Sequence, residues 1–217
     1  MYKHFFKRLA DLVLSTLAII ILALPMLVVA VIIKLDTPGP VLFKQRRVGL
    51  RKKEFTIYKF RSMPTTAPKD LPTHQFDAKD QLTRWQRFIR RASIDELPQI
   101  YNIFLGHMSI CGPRPALWNQ DDLVAERGKY GANDVKPGLT GWAQINGRDE
   151  LEIPVKAKLD GEYAAALNAG KFKGLGMDLR CFFGTFLSVL RSDGVVEGGT
   201  GELNKQAEEK ETAEVGK

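Results

Sequence analysis

Cysteine and histidine are both scarce in this chain of 217 residues. The two cysteines, Cys111 and Cys181, lie far apart in sequence, which excludes a disulfide framework and fits a reducing compartment. The three histidines, His4, His74 and His107, have no metal-ligand spacing. No internal repeat occurs, and no Walker A or dinucleotide fingerprint. Acidic residues are in deficit, with 25 against 32 basic ones and a net charge of +7. The last sixteen residues hold five Glu and three Lys, so residues 1–201 carry +9. A basic body of this kind suits an anionic partner such as membrane lipid, phosphate or nucleic acid.

One long stretch lacks charge altogether. Leu12 to Ile33 is a run of 22 uncharged residues, interrupted only by Ser15, Thr16 and Pro25. That length suffices for a bilayer. The run is too long for the apolar core of a typical secretory signal, and no small-residue cleavage site follows it. Both flanks are basic: Lys3, Lys7 and Arg8 before, Lys34, Lys44, Arg46 and Arg47 after. Positive charge prefers the cytoplasmic face. Pro25 removes a backbone hydrogen bond and can bend the helix. Together these features favour a re-entrant helix that enters and leaves on one face over a straight span.

Asp36-Thr37-Pro38-Gly39-Pro40 then breaks the chain. Val41 to Val48 and Glu54 to Met63 are expected as strands joined by a turn over Gly49 to Lys53, with Lys59 and Arg61 on one face. Pro64 to Asp80 reads as loop. Leu82, Trp85, Phe88 and Ile89 mark an arginine-rich amphipathic helix that could lie on anionic lipid or pack on a core.

The stretch around which the chain is organised runs from Ser93-Ile94-Asp95-Glu96-Leu97-Pro98-Gln99 to Met108 through Pro115. Ser93 is expected to cap a short helix with Asp95 and Glu96 in its first turn, Leu97, Ile100, Tyr101 and Phe104 on one face, and Gly106 at its end. The first-turn N–H groups and the basic neighbours Arg90, Arg91 and Arg114 would then favour both acids in ionised form. Ser93-x-x-Glu96 also has the form of a plain capping box, so the acids alone do not establish chemistry.

Further on, Trp118 to Gly131 is weakly helical. Val135 to Gly141 is a turn-rich loop whose glycines let backbone approach a ligand, to which Gln144, Asn146 and Arg148 offer donors. Leu159 to Leu167 reads as helix with Asp160 and Tyr163 one turn apart. Leu179, Phe182, Phe183, Phe186, Leu187 and Leu190 form an apolar stripe for which core packing is the first expectation and membrane contact the second. Residues 198–217 have little to bury and are expected to be disordered.

Taken together, these segments closely resemble the bacterial sugar transferases, in the small monotopic phosphoglycosyl transferase form. The resemblance covers roughly residues 2–195. It rests on the proline-interrupted N-terminal segment, Tyr58-Lys59-Phe60-Arg61-Ser62-Met63, Ser93 to Gln99, Met108 to Pro115, Pro137 to Gly141, Gln144 to Arg148, and Asp160 with Tyr163. One departure is Leu24-Pro25 at the bend, where family members often carry Ser-Pro. The resemblance implies an α-rich α/β fold: a re-entrant membrane segment over 1–36, one compact catalytic domain over 37–197 with a small β-hairpin, and the tail over 198–217.

It further implies transfer of sugar-1-phosphate from a UDP-sugar to a polyprenyl phosphate such as undecaprenyl phosphate. Transfer would occur on the cytoplasmic face of the bacterial inner membrane, with magnesium required and UMP released. Asp95 would be the nucleophile, forming a covalent intermediate, and would help hold the metal. Glu96 would assist as base or metal partner. Lys59, Arg90 and Arg114 would hold phosphate groups, and Arg148 would lie near the nucleotide. Membrane lipid is an expected partner and nucleic acid is not; homo-oligomerisation is left open. Two other classes compete: a glycosyltransferase releasing UDP, and a non-enzymatic basic membrane-anchored binding protein, which leaves the acidic pair unexplained.

Overall fold

The computed structural model describes residues 2–67, 82–147 and 151–191. A π-helical turn, Tyr2–Phe6, leads into α1, Lys7–Asp36. The hairpin follows as β1, Leu42–Val48, and β2, Glu54–Phe60, antiparallel from Leu42 opposite Phe60 to Val48 opposite Glu54. Next come α2, Arg84–Arg91, a 3₁₀ turn Ile94–Glu96, and α3, Gln99–Phe104. After these run β3, Ser109–Cys111; α4, Asp121–Lys129; β4, Gly138–Thr140; α5, Trp142–Ile145; α6, Ile153–Asn168; and α7, Lys171–Arg191. The result is the helix-rich α/β fold expected, with one N-terminal apolar helix.

The helix α1 lies along the body of the protein and is fastened to it at both ends. Near its start, Arg8 donates from Nη1 to the Ile103 carbonyl and from Nη2 to the Phe104 carbonyl, both at 2.7 Å, serving carbonyls at the end of α3. Asp11 Oδ1 accepts from Ser109 Oγ and from the Ile110 amide, both at 3.0 Å. Tyr2 and Lys7 donate to Asp178 Oδ2 on α7 at 2.7 and 2.8 Å, and the Tyr163 hydroxyl lies 2.7 Å from Asp178 Oδ1 and 2.7 Å from the Cys111 carbonyl. At the other end Met26, Val29 and Ile33 are buried with Phe60, Ile89 and Ile100. Between these anchors Ile20, Ile21, Leu24 and Leu27 are 60–70% exposed.

The helix continues through Pro25 without interruption, so the expected bend does not appear as a break in the helix. Ser15 and Thr16 donate to the Leu12 carbonyl, a turn before themselves, and play no part at the proline.

Arg61 differs from its expected place beside Lys59. Its guanidinium donates to the carbonyls of Ile33, Thr37 and Pro38 and to Thr37 Oγ1. It therefore closes the end of α1. Gly39, at φ +125°, leaves the space it needs: a Cβ there would sit 2.2 Å from Arg61 Nη1.

The sequence-based reading also missed a second sheet. β3 and β4 pair in parallel, Ser109 with Gly138 and Cys111 with Thr140. The glycines of the 138–141 segment serve this crossing. A Cβ at Gly138 would stand 2.1 Å from the Gly112 nitrogen, and one at Gly141 would stand 2.1 Å from the Gly112 oxygen. Gln144 and Asn146 are likewise local braces, donating to the carbonyls of Leu139 and Trp142. Core packing holds for only part of the α7 stripe: Phe182 packs against the core cluster of Tyr163, Leu167 and Cys181, whereas Leu179, Phe183 and Leu187 are exposed, and the helix turns Gly174, Asp178 and Cys181 inward. The expected tail over 198–217 lies outside the described residues, as does most of the loop expected to Asp80.

Asp178 is the only described carboxylate hydrogen-bonded to Lys7, which is nearly buried. Asp178→Asn should therefore cost about 3 kcal/mol, seen as a lowered melting temperature of the detergent-purified protein. An unchanged melting curve would mean that this cluster is hydrated and does not hold α1.

Candidate active site

Three short elements bring the predicted residues together. β2 carries Lys59, the 3₁₀ turn carries Asp95 and Glu96, and the corner after β3 carries Arg114. Asn102, fully buried on α3, locks the first two in register. Its Oδ1 accepts from the Tyr58 amide at 3.1 Å and its Nδ2 donates to the Thr56 carbonyl at 2.7 Å.

The local structure at the acids differs from the capped helix expected. Ser93 is left-handed, at φ 55° and ψ 22°, and its side chain makes no cap. Pro98 has no N–H to offer the Ile94 carbonyl, which takes the Leu97 amide at 3.2 Å in a tighter turn. The helix then restarts at Gln99. The acids therefore sit in a separate three-residue turn, two residues ahead of α3. The capping box forms ten residues earlier, where Thr83 and Gln86 cap α2 reciprocally.

The two carboxylates have separate surroundings. Glu96 accepts from Lys59 Nζ at 3.0 Å on Oε1, and from Arg114 Nη2 at 2.7 Å on the same oxygen and Nη1 at 3.5 Å on Oε2. Asp95 is buried and accepts from Ser62 Oγ at 3.2 Å on Oδ2. Burial pushes the Asp95 carboxyl above its ordinary range; Lys59 pulls it down, Glu96 pushes it up again, and Arg90 and the Ser62 hydrogen bond pull it down. The balance is upward, against the expectation that the surroundings would favour ionisation of Asp95. Burial likewise holds the Lys59 ammonium below its usual range, against the pull of Glu96.

The structure thus unites Lys59, Asp95, Glu96 and Arg114, with Arg90 as a charged neighbour of Asp95. Arg91 is exposed on α2. Arg148 lies outside the described residues.

Three supporting residues had no role assigned from sequence. Ser62 was visible within the Tyr58–Met63 segment, but only the fold reveals its bond to Asp95. Arg127 on α4 pairs with Asp160 on α6 at 2.6 Å and donates from Nη2 to the Arg114 carbonyl at 2.9 Å. Arg47 donates to the Pro115 carbonyl at 3.0 Å. These two arginines clamp the Gly112-Pro113-Arg114-Pro115 corner and aim Arg114 at Glu96. Asp160 is completely enclosed, and its burial raises its pKa against the pull of Arg127.

Among the described residues no group of three His, Cys, Asp or Glu side chains could hold a metal ion. Magnesium does not need one. It prefers one or two carboxylates and completes its shell with waters and substrate phosphates. Glu96 has both oxygens engaged by cations, which leaves Asp95 as the carboxylate with capacity to spare.

Comparison with known proteins identifies the family. The profile of the bacterial sugar transferase family matches residues 2–192. The sugar transferase EpsL of Bacillus subtilis (strain 168) is 39% identical over 189 residues, covering 87% of this chain and 89% of that protein. The exopolysaccharide production protein PSS of Rhizobium leguminosarum bv. phaseoli is 41% identical over 194 residues, covering 85% and 94%. The UDP-glucose:undecaprenyl-phosphate glucose-1-phosphate transferase of Escherichia coli (strain K12) is 39% identical over 164 residues; the match covers 72% of this chain but only 35% of that longer protein. On the span of the family match and the extent of these similarities, the chain belongs to the bacterial sugar transferase family.

Proposed function

We propose that this protein transfers a sugar-1-phosphate from a UDP-sugar to undecaprenyl phosphate on the cytoplasmic face of the bacterial inner membrane, releasing UMP. The observation that carries the proposal is the division of labour between adjacent acids. Glu96 is saturated by Lys59 and Arg114, whereas Asp95 is enclosed beside it with one oxygen held by Ser62. The Escherichia coli relative is named as a UDP-glucose:undecaprenyl-phosphate glucose-1-phosphate transferase.

Asp95, ionised, attacks the phosphorus next to the sugar. The bond from that phosphorus to the bridging oxygen breaks, and UMP departs with the oxygen and its electron pair. An oxygen of undecaprenyl phosphate then attacks the same phosphorus and displaces the Asp95 carboxylate, restoring it. Lys59 and Arg114, already converged on Glu96, and Arg90 near Asp95 oppose the charge on the phosphoryl oxygens. Glu96 keeps two neighbouring cations from repelling one another while the donor is absent. A magnesium ion would be held by Asp95 with the diphosphate, and when bound it would neutralise phosphate charge. Such a charge would also offset the burial that disfavours ionised Asp95.

The way α1 is held supports a re-entrant placement. Arg8 and Asp11 at one end, and Ile33 and Thr37 at the other, bond or pack onto the same compact body. A straight crossing would carry one of these ends to the far side of the bilayer. Between these ends the exposed face of the helix, carrying Leu17, Ile20, Ile21, Leu24 and Leu27, is the part left for lipid.

The detergent-purified protein, given magnesium, undecaprenyl phosphate and a panel of UDP-sugars, should release UMP with its proper donor; release of UDP would instead establish plain glycosyl transfer. Asp95→Asn should lower turnover by roughly a thousandfold or more, with membrane extraction unchanged, and appreciable residual activity would remove Asp95 as nucleophile. Glu96→Gln should lower kcat by roughly a hundredfold; an unaffected kcat would mean that Lys59 and Arg114 need no anchor. Cysteines placed at Lys3 and Lys44 should both be labelled only from the cytoplasmic side. Background will be low, because Cys111 and Cys181 are buried and burial pushes the Cys181 thiol up to about 12. Labelling of either tag from outside would replace the re-entrant placement by a span.

A further inference from the structure

The helix α2 presents two opposite faces. Its inner face buries Ile89 completely and Gln86 nearly so. Its outer face carries Arg84, Arg87, Phe88 and Arg91, at spacings of three, one and three residues, which is a single helical stripe. All four line one open groove of about 430 Å³. Phe88 is 52% exposed and its ring stacks obliquely on Trp85 at 5.3 Å between centroids. No acidic residue occurs between positions 84 and 91. Arg90 leaves this stripe to neighbour Asp95, so the outer arginines are separate from the reaction centre.

The depth of this groove relative to the apolar helix is fixed. Thr83, the cap of α2, donates its hydroxyl to Asp36 Oδ2 at 2.8 Å. Asp36 is the last residue of α1, where the uncharged run has just given way to Lys34 and Asp36. Ile89 packs in one cluster with Met26, Val29 and Ile33 of α1, and Trp85 packs against that cluster. The arginines therefore stand where the apolar surface ends, the level of a bilayer's headgroups, and Phe88 stands beside them.

We propose that the outer face of α2 is a docking surface for anionic phospholipid headgroups. Guanidinium groups match phosphodiester oxygens in charge and in paired donor geometry. The exposed ring of Phe88 is suited to the boundary between headgroup and acyl chain. This surface goes beyond the transfer reaction, and lipid binding is read without turnover, so it stands or falls independently of Asp95.

The test uses the full chain in micelles of an uncharged detergent, titrated with fluorescent phosphatidylglycerol or phosphatidylcholine. The wild-type protein should prefer phosphatidylglycerol by roughly tenfold or more at low salt, from three basic residues at the surface, and lose that preference in high salt. Arg84→Gln/Arg87→Gln/Arg91→Gln should bind the two lipids alike. The charge-matched variant Arg51→Gln/Lys52→Gln/Lys53→Gln, altered in the exposed hairpin turn, should keep the wild-type preference. Melting curves of both variants establish that they are folded. Retention of the preference in the α2 variant overturns the proposal. So does an equal loss in the hairpin variant, which would reduce the effect to net charge, or a preference that survives high salt.

Discussion

The arrangement of the site depends on one carboxylate. Lys59 and Arg114 come from parts of the chain far apart in sequence and would repel each other across a poorly hydrated space. Glu96 lies between them and makes their approach favourable. Removing one member of such a group leaves charge that neither water nor protein satisfies, which is why partly buried ion clusters tolerate loss of a partner badly. The same carboxylate is unwelcome to Asp95, whose pKa it helps burial to raise. Charge is thus distributed so that one acid is neutralised by the protein and the other is left needing a cation or a phosphorus atom.

Support for this cluster reaches outward through backbone atoms. The Asp160–Arg127 pair, enclosed between α4 and α6, holds the Arg114 carbonyl, and Arg47 holds the next one. Asn102 ties β2 to α3, and hence Lys59 to the turn bearing the acids. The elements around the corner are short, and the paired strands β3 and β4 have only three residues each. Close backbone contact at Gly112, Gly138 and Gly141 makes this pairing possible, because any side chain would collide with peptide atoms.

Much of this was legible in the sequence where a pattern was long or chemically distinctive. The uncharged run became α1, the alternating segments became the hairpin, and Lys59, Asp95, Glu96 and Arg114 converged as the motifs implied. What was not legible depended on distant partners. Ser93 and Glu96 have capping-box spacing, but Pro98 breaks the helix that the box would serve, and Lys59 and Arg114 claim Glu96 instead. The glycines near 138 announce close approach without saying to what, and the neighbour proves to be Gly112. Arg61 shares a strand phase with Lys59, yet its position just beyond β2 sends it to the carbonyls around Thr37. The α7 stripe has helical spacing, but periodicity alone does not say which face is covered, and Asp178 with its three partners claims the other one.

The fastening of α1 has a consequence for the order of assembly. Tyr2 and Lys7 meet Asp178 across separations of 176 and 171 residues, and Arg8 and Asp11 bond to groups 95 to 99 residues away. During synthesis the apolar helix emerges long before α7 exists, and contacts so distant in sequence form slowly. The most apolar segment is therefore complete while the polar groups that will anchor it are still unmade. Final docking of α1 must await α7, and a ribosome stalled before Asp178 would leave an apolar helix with the ammonium of Lys7 lacking its carboxylate.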